Sequence, residues 1–261
     1  MKVSVIVTTY NRPDALMKVL NGLCFQTLIP DEVIVADDGS DPETQKYIHI
    51  FQADAPPYPL IHVWHENKGF RLAKIRNRAI KKTNGEYIIM LDGDCIPEKH
   101  FIEDHHYLAE KGFFFQGKRV LIDRQLSTEF TYKTANALSI KYVFSKNISN
   151  AHHLIRLPFF PAYSSTKLNG IRGCNMGFFK KDIFAVNGYN ENFTGWGRED
   201  SELAVRLYKY GLKRKEQPFK AICFHLWHKT NDRKELVKNN LLLKKAIESN
   251  NYECVNGLLQ K

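Results

Sequence analysis

Two aspartates separated by a single glycine stand where an apolar run in the first half of the chain ends. The run, residues 87–91, is short and apolar, which indicates a strand buried on both faces. Asp92 and Asp94 follow it, and Gly93 between them is expected to let the backbone bend so that both carboxylates turn toward one point. Two carboxylates at a strand end, with an anionic substrate nearby, are a usual way to hold Mg2+ or Mn2+. The triplet alone is better explained as a solvated turn, so the rest of the sequence has to decide.

A second group of acids lies in the C-terminal half, directly after the sequence Gly-Trp-Gly at residues 195–197. Glu199 and Asp200 begin a predicted helix, and acids in a first helical turn are stabilised by the helix dipole. That dipole also favours the ionised form, and an ionised carboxylate beside a bound hydroxyl can act as a general base. The inward face of this helix is predicted to carry Leu203, Leu207 and Tyr210.

Two histidines close a predicted strand at residues 220–228. A lone histidine there would most simply be a core residue, but His225 and His228 beside a tryptophan indicate a functional role. A second pair, His152 and His153, is more simply explained as exposed loop residues. His152 is kept as the alternative metal ligand.

The elements that must position these groups alternate between strand and helix. Apolar runs predict four strands, at residues 3–9, 32–36, 60–64 and 87–91. Short links in this alternation predict an α/β fold with a Rossmann-like, doubly wound and mostly parallel sheet. Asn11 is expected to cap the first helix, and Ser40 or Asp41 the second.

Right-handed crossovers place the loops that follow these strands on one edge of the sheet. Taken singly, each acid in those loops is better explained as a helix cap, but their convergence on one edge favours a binding site. Asp37 or Asp38 is placed to bond a base or ribose, and Lys68, Arg71 or Arg76 to face phosphate. The candidate nucleotide-binding residues are Thr8, Tyr10, Arg12, Asp37, Asp38, Lys68, Arg71, Arg76, Asp92 and Gly93.

Three other segments carry weaker signals. Residues 112–122 predict one long strand, and residues 123–165, rich in basic and aromatic side chains, predict an irregular or helical insertion. Residues 232–248 predict a basic amphipathic helix with Leu236, Leu243 and Ile247 facing inward.

Composition limits the class of protein and of partner. The chain has 261 residues, 43% of them hydrophobic, which is enough for a full core. A net charge of +10 favours anionic partners, among them nucleotide-sugars and an anionic membrane surface. Without an RNA- or DNA-binding motif, nucleic acid is not expected. Five cysteines without a Cys-x-x-Cys pair predict reduced thiols and a cytoplasmic protein, at most peripheral at the inner face of the plasma membrane.

The N-terminal motifs resemble a known family. The sequences VIVTTYNR at 5–12, ADDGS at 36–40 and LDGD at 91–94 resemble the nucleotide half of family 2 glycosyltransferases, which have the GT-A fold. The resemblance implies that residues 1–122 bind a UDP-sugar donor. No Gly-x-Gly-x-x-Gly follows the first strand, which disfavours dinucleotide binding.

The C-terminal motifs resemble the acceptor half of beta-1,4-galactosyltransferases and of bacterial hexosyltransferases related to chondroitin polymerases. They are NMGFF at 175–179 and FTGWGREDSEL at 193–203. The resemblance implies that Asp200 is the catalytic base and that Glu199 assists sugar binding. Ser201 departs from the further acid that the animal enzymes often have there, which bears on acceptor identity. The acceptor- and sugar-binding residues implied are Asn175, Met176, Trp196 and Gly197.

The resemblance also implies a Mn2+ or Mg2+ cofactor on Asp94 and Asp92, with His225 or His228 as the third ligand. The implied protein is one GT-A domain, residues 1–261, with a nucleotide-sugar half (1–122), an acceptor and catalytic half (123–230) and a C-terminal basic helix (231–261). It would be an inverting transferase moving galactose or N-acetylhexosamine from a UDP-sugar to a saccharide or glycolipid acceptor, in bacterial lipopolysaccharide or capsule synthesis.

Two alternatives belong to other classes of protein. A nucleotidyltransferase acting on a sugar phosphate would need a glycine-rich phosphate loop, and residues 7–11 contain no glycine. A nucleic-acid-binding protein without enzymatic activity would fit the charge but not the clustered acids.

Overall fold

The larger of two β-sheets takes strands from both halves of the chain. The computed structural model describes residues 1–137, 146–157 and 159–259. Its strands are β1 Val3–Thr9, β2 Glu32–Asp37, β3 Leu60–Trp64, β4 Tyr87–Asp92, β5 Cys95–Pro97, β6 Phe113–Gln116, β7 Lys118–Ile122, β8 Ile148–Ser149, β9 Tyr163–Ser165, β10 Asn175–Phe179, β11 Lys213–Glu216 and β12 Ile222–His225. Its α-helices are α1 Pro13–Cys24, α2 Pro42–Ala53, α3 Leu72–Lys82, α4 Phe101–Leu108, α5 Arg124–Ser127, α6 Tyr132–Ala137, α7 Lys180–Ala185, α8 Glu199–Lys209 and α9 Leu236–Glu248.

The larger sheet has the order β3-β2-β1-β4-β10-β6-β11-β9. Its first three pairings are parallel, as is the pairing of β6 with β11, whereas β10 runs antiparallel to both β4 and β6. The predicted doubly wound, mostly parallel α/β sheet is confirmed. All of β1, β2 and β4 therefore end at the same edge, where the polar loops lie.

Strand β4 is buried on both faces, as its apolar sequence predicts. Tyr87, Ile89 and Leu91 belong to one hydrophobic cluster, and Ile88 and Met90 to the cluster on the other side of the sheet. Burying each large side chain of this kind stabilises the fold by about 1.5–3 kcal/mol. The core thus fixes the position at which β4 delivers its terminal acids.

The prediction of one strand over residues 112–122 is wrong. The segment divides at Gly117 into β6, in the larger sheet, and β7, in a second sheet of order β5-β12-β7-β8. The amide group of Asn175 occupies the space that a Cβ at Gly117 would need, and Gly117 N donates to Asn175 O at 3.1 Å. Glycine is therefore required where the chain crosses between the sheets.

Helix capping follows the prediction at α2 but not at α1. Asp41 caps α2 by accepting from Thr44 N at 3.0 Å. The N-cap of α1 is Arg12, not Asn11. Asn11 instead has a positive φ of 47° and accepts a hydrogen bond from Asp41 N at 2.8 Å through its side-chain oxygen, so it links two edge loops.

The inward faces of α8 and α9 differ in part from the prediction. Leu203 and Leu207 of α8 are buried, but Tyr210 lies just past the last turn and is exposed. In α9, Leu236 and Leu243 are only half-buried and Ile247 is exposed, whereas Asn239 is fully buried. The polar contacts of Asn239, described below, explain why this residue, and not a leucine, is the buried one.

The segment predicted as an insertion, residues 123–165, contains α5, α6, β8, a 3-10 turn at Ala151–Leu154 and β9. Residues 138–145 and 158 of that segment lie outside the described residues. Within the described ranges, no helix has the length and apolar character needed to cross a membrane.

Candidate active site

The ends of β1 and β4 are joined directly at the sheet edge. Thr8 Oγ1 donates to Asp92 Oδ1 at 3.0 Å, and Gly93 N donates to Thr8 O at 2.7 Å. A Cβ at Gly93 would overlap that carbonyl oxygen, so glycine is needed here for close approach and not for a left-handed bend. Asp92 and Asp94 make separate sets of contacts, yet Asp94 is close enough to act electrostatically on Asp92, so convergence of both acids on one metal stays a prediction.

Asp94 lies between two imidazoles and a guanidinium. His225 Nε2 is 3.7 Å from Asp94 Oδ1, and His228 Nε2 is 3.5 Å from Asp94 Oδ2. Arg12 Nη1 is 2.5 Å from Asp94 Oδ2, so a positive group already neutralises this carboxylate. The sequence left open which histidine accompanies Asp94, and the structure brings both to it. Burial lowers the pKa of His225, which favours the neutral imidazole that binds metals.

Arg76 is a buried cation that joins the two halves of the site. Its guanidinium, 1% exposed, contacts Asp200 Oδ1 through Nη1 at 2.8 Å and Asp92 Oδ1 through Nη2 at 3.2 Å. Glu199 Oε1 lies 3.6 Å from Nη1. The sequence assigned Arg76 to phosphate, but in the structure this side chain faces three carboxylates beneath the cleft. It therefore holds the end of β4 against the start of α8.

Glu199 and Asp200 open α8, as predicted, but their surroundings differ. Burial and the neighbouring Asp200 raise the pKa of Glu199 to about 8, although Arg76 opposes the shift. Asp200 accepts from Gly173 N at 2.9 Å as well as from Arg76, and both donors stabilise its negative charge. At neutral pH Glu199 is thus a hydrogen-bond donor, whereas the carboxylate of Asp200 accepts hydrogen bonds from two donors.

Gly173 is a site residue that the sequence reasoning missed. A Cβ at this position would overlap the carboxylate of Asp200. Gly173 lies two residues before the NMGFF motif at 175–179, but nothing local connects that glycine to an acid 27 residues later.

The two adjacent acids at the end of β2 are held by hydrogen bonds from neighbouring backbone and histidine groups. Asp37 is fully buried and accepts from Ser40 N at 2.8 Å, with His62 Nε2 at 3.1 Å. Asp38 Oδ1 is 2.6 Å from His65 Nε2, and Asp38 Oδ2 accepts from Arg71 N at 2.9 Å.

These contacts make His62 and His65 structural partners that the sequence analysis did not single out. Contact of Asp37 or Asp38 with a base or ribose stays a prediction, and it would use the lone pairs that these bonds leave free.

The remaining candidates near this edge are more exposed. Tyr10 accepts a hydrogen bond from Asn67 Nδ2 at 3.0 Å and keeps 44% of its surface open. Lys68 Nζ pairs with Glu66 Oε2 at 2.9 Å in solvent, and the Arg71 guanidinium donates to Glu66 O. An exposed ion pair such as Lys68–Glu66 is weak, so Lys68 is free to turn toward an anionic ligand, whereas Arg71 is half-buried.

Asn175 and Met176 do not reach the cleft. Met176 is fully buried in the core, and Asn175 is buried between the sheets, where its amide nitrogen donates to Ala221 O at 2.8 Å. His105 Nε2 lies 2.9 Å from Asn175 Oδ1. The structure therefore contradicts direct acceptor contact by these two side chains, which instead hold β10 in place. His152, the alternative metal ligand, packs against His153 with ring centroids 4.0 Å apart, and its role as a ligand stays a prediction.

The Trp196 loop, residues 194–197, is held by the C-terminal helix. Asn239 of α9 donates to Thr194 O and to Gly197 O, each at 3.0 Å. Arg233 lies over the Trp196 ring at 5.0 Å, and Trp196 is 37% exposed. A cavity of about 320 Å3 beside the loop is lined by Phe70, Gly195, Trp196, Asn231, Asp232, Lys234 and Glu235. The loop thus presents a partly open aromatic ring whose position depends on α9.

We expect Asn239→Asp to weaken acceptor use while leaving UDP binding unchanged. The carboxylate would face two carbonyl oxygens without a proton to donate, so both bonds are lost. At about 1 kcal/mol each, the loss corresponds to a decrease of roughly ten- to thirtyfold in kcat/KM for the acceptor. Steady-state kinetics over acceptor and donor concentrations measure it.

The matched control for that experiment is Asn240→Asp, the same change one residue later on α9. Asn240 Oδ1 accepts from Arg198 Nε at 2.7 Å, and a carboxylate can keep that bond. Equal effects of the two changes on the acceptor KM would contradict a specific role for Asn239.

The fold and the acids and histidines gathered at one edge of its sheet define an α/β protein with a candidate active site, and comparison with known proteins gives the family. Residues 4–178 match the family "Glycosyl transferase family 2", and residues 159–229 match "N-terminal domain of galactosyltransferase". The chain belongs to glycosyl transferase family 2 and is a glycosyltransferase.

Two synthases and one solved structure illustrate the similarity. Chondroitin synthase of Escherichia coli is 28% identical over 224 residues, covering 80% of this chain and 32% of that protein. Hyaluronan synthase of Pasteurella multocida is 29% identical over 231 residues, covering 80% of this chain and 23% of that protein. This chain thus spans about a third or less of these relatives.

S. aureus TarS 1–349 in complex with UDP-GlcNAc superposes with a TM-score of 0.65 at 18% identity, covering 94% of this chain and 66% of that one. At that identity the likeness establishes the GT-A fold alone.

Proposed function

We propose that the protein transfers galactose or N-acetylhexosamine from a UDP-sugar to a saccharide acceptor with inversion, in a metal-dependent reaction. The observation that carries the proposal is Arg76, which binds Asp92 of the donor half and Asp200 of the acceptor half at once. A group placed to take a proton is thereby fixed beside the acids of the nucleotide edge. The TarS complexes with UDP and with UDP-GlcNAc support a nucleotide-sugar donor. Membership of a glycosyltransferase family removes the support for a nucleotidyltransferase.

The residues around Asp94 fit a divalent metal. One carboxylate and two imidazoles converge there, a donor set that suits Mn2+, and the guanidinium of Arg12 marks the place as one that attracts positive charge. GT-A glycosyltransferases commonly use divalent metals, and a mannosyltransferase of the same fold is known with GDP-Man and Mn2+. Asp94, His225 and His228 would hold the ion, which when bound neutralises charge on the departing diphosphate.

The chain's own residues supply the rest of the reaction. Asp200 accepts the proton of the acceptor hydroxyl while that oxygen forms a bond to the anomeric carbon and the bond from this carbon to UDP breaks. One displacement of this kind inverts the configuration. Glu199, protonated at neutral pH, donates a hydrogen bond to a sugar oxygen, and the Trp196 ring covers the apolar face of a sugar.

We expect UDP to bind weakly in EDTA and at least tenfold more tightly with Mn2+, and Asp94→Ala to abolish the difference. His225→Ala and His228→Ala should each reduce the metal effect, because both imidazoles flank the same carboxylate. Isothermal titration calorimetry with UDP measures all four proteins.

Glu248→Ala is the control for calorimetry, because this acid is exposed and pairs with Lys244 at the C-terminal end of α9. Equal UDP affinity in EDTA and in Mn2+ would refute the metal role. Unchanged Mn2+ dependence in both histidine variants would move the third ligand elsewhere.

We also propose an acceptor, a pathway and a location. The synthase relatives support a polysaccharide or glycolipid acceptor, and we keep bacterial lipopolysaccharide or capsule synthesis in the cytoplasm as the setting. On α9, exposed Val237 and Leu241 lie near Lys238 and Lys244, which fits a peripheral contact with anionic lipid, at about 1 kcal/mol per basic residue. Flotation with neutral and anionic vesicles would separate that contact from an ordinary solvated face.

A further inference from the structure

One more metal-binding side chain stands beside Asp94, and the transfer reaction does not use it. The Sγ atom of Cys95 is 3.8 Å from Asp94 Oδ1, which is 3.7 Å from His225 Nε2. The three ligand atoms all lie within 4.8 Å of one another. Thiol, carboxylate and imidazole thus form a tripod around one point.

The size of this tripod suits a small tetrahedral ion. Zinc bonds of about 2.0–2.3 Å to nitrogen, oxygen and sulfur place the ligand atoms of a tetrahedron roughly 3.3–3.8 Å apart. The Sγ–Oδ1 distance of 3.8 Å and the Oδ1–Nε2 distance of 3.7 Å fall at the upper end of that range. Only a small inward movement of side chains is needed for an ion to touch all three.

The chemistry of the tripod differs from that of the proposed catalytic site. Asp94, His225 and His228 offer oxygen and nitrogen, which suit Mn2+, whereas a thiolate selects softer ions such as Zn2+. Both sets share Asp94 and His225, so a single ion occupies one set or the other. In the second set Cys95 takes the place of His228 as the third ligand. An ion bound there would lie nearer the buried side of Asp94.

The position of Cys95 supports metal binding by the set Cys95, Asp94 and His225. Its side chain is fully buried, while those of Asp94 and His225 are slightly open, so an ion entering from the cleft meets the thiol last. Two further buried thiols, Cys174 and Cys223, hydrogen-bond to Cys95. The back wall of the centre is therefore rich in sulfur.

We propose that Cys95, Asp94 and His225 form a binding site for thiophilic divalent cations, Zn2+ or Cd2+, that excludes Mn2+ from the centre. Binding forms a metal–sulfur bond and releases the thiol proton to solvent, with no change in oxidation state. The exclusion of Mn2+ rests on the proposed function, because that function assigns Asp94 and His225 to the catalytic metal.

The test is a titration of the whole metal-free chain with Cd2+, followed through the sulfur-to-cadmium charge-transfer absorption in the near ultraviolet. The wild type should show the band at one equivalent, and Cys95→Ser should lose it with a decrease in Cd2+ affinity of roughly tenfold or more. Mn2+ affinity, measured by the paramagnetic resonance of free Mn2+, should change less than threefold in Cys95→Ser. Cys24→Ser, at the remote end of α1, is the matched control and should keep the band.

Several results would overturn the proposal. Absence of the band in the wild type is one. Retention of the band in Cys95→Ser, with its loss in Cys174→Ser or Cys223→Ser, would place the ion among the deeper thiols. If Cys95→Ser does not fold, X-ray absorption at the zinc edge of the wild type decides the matter, because a first shell without sulfur contradicts the proposal. If the cadmium band appears but Mn2+ does not affect UDP binding, the metal-dependent function is contradicted. The thiophilic site would still be supported by that result.

Discussion

Asp200→Asn is expected to lose sugar transfer almost completely while keeping the affinity for UDP. A sugar hydroxyl is a poor nucleophile at neutral pH, and a positioned base contributes roughly 10²–10⁴-fold to the rate. Asparagine has nearly the shape of aspartate and can still accept from Gly173 N, but it cannot take a proton. We therefore expect kcat to fall by about that factor. Radiolabelled sugar transfer and calorimetry with UDP measure the two quantities.

The neighbouring acid provides the control. Glu199 is protonated at neutral pH because burial raises its pKa, so Glu199→Gln replaces a neutral group by another neutral group. We expect Glu199→Gln to change sugar binding several-fold without the loss of kcat seen at Asp200. Near-normal turnover in Asp200→Asn would assign the base to another residue. Loss of UDP binding in the same variant would make Asp200 a support of the donor site.

The sequence specified the elements better than the contacts between them. Strand β3 has the predicted bounds, 60–64, because a short apolar run with turns on either side determines a strand locally, even at the half-buried edge of the sheet. The break at Gly117 was not predicted, because it depends on Asn175, 58 positions away in the chain. The spacing of residues along the sequence does not show which distant side chain will lie against a glycine and leave no room there for a Cβ atom.

In the site as well, the sequence identifies the types of residue but not the contacts that they make. The acids and histidines that could do chemistry were identifiable by type, and the structure brings Asp94, His225 and His228 together although 131 positions separate the first from the second. Arg76 was assigned to phosphate because a cation on the nucleotide edge usually meets phosphate. Only the packing of α3 beneath α8 reveals that carboxylates already surround it.

Asn239 was missed for a related reason. The periodic leucines of α9 predicted an apolar inner face, but the Trp196 loop presents two backbone carbonyl oxygens there. A buried carbonyl without a donor costs free energy, so an amide at this position is favoured over a leucine. Hydrophobic periodicity does not register such a requirement.

Arg76→Met is expected to destabilise the protein by about 3–5 kcal/mol, the usual cost of removing one partner from a buried ion pair. The change leaves Asp92, Asp200 and Glu199 without their shared cation. Transfer should be lost together with stability. Chemical denaturation gives the free energy of unfolding, and the transfer assay at low temperature gives the activity of the folded fraction.

Arg206→Met is the matched control for Arg76→Met. Arg206 is as deeply buried in α8 and pairs with a single acid, Glu202, at 2.7 Å. We expect Arg206→Met to destabilise the protein but to leave the folded fraction able to bind UDP and transfer sugar. Arg76→Lys keeps the charge but not the two separate nitrogens, so it should fold and still lose most of its transfer. Full activity in Arg76→Lys would contradict a bridging role for the guanidinium.

The pH dependence of Arg76→Met provides the strictest test. In the wild type the guanidinium lowers the pKa of Asp92 and of Glu199, so its removal raises both further above their values in the unfolded chain. A carboxyl whose folded-state pKa is raised destabilises the fold above its unfolded-state pKa of about 4, and protonation at lower pH relieves the loss. The difference in unfolding free energy between wild type and Arg76→Met should therefore be largest near pH 8 and shrink toward pH 5. Arg206→Met exposes one acid instead of three, so its dependence should be shallower. A difference for Arg76→Met that does not vary between pH 8 and pH 5 would mean that lost packing, and not unpaired charge, causes the destabilisation.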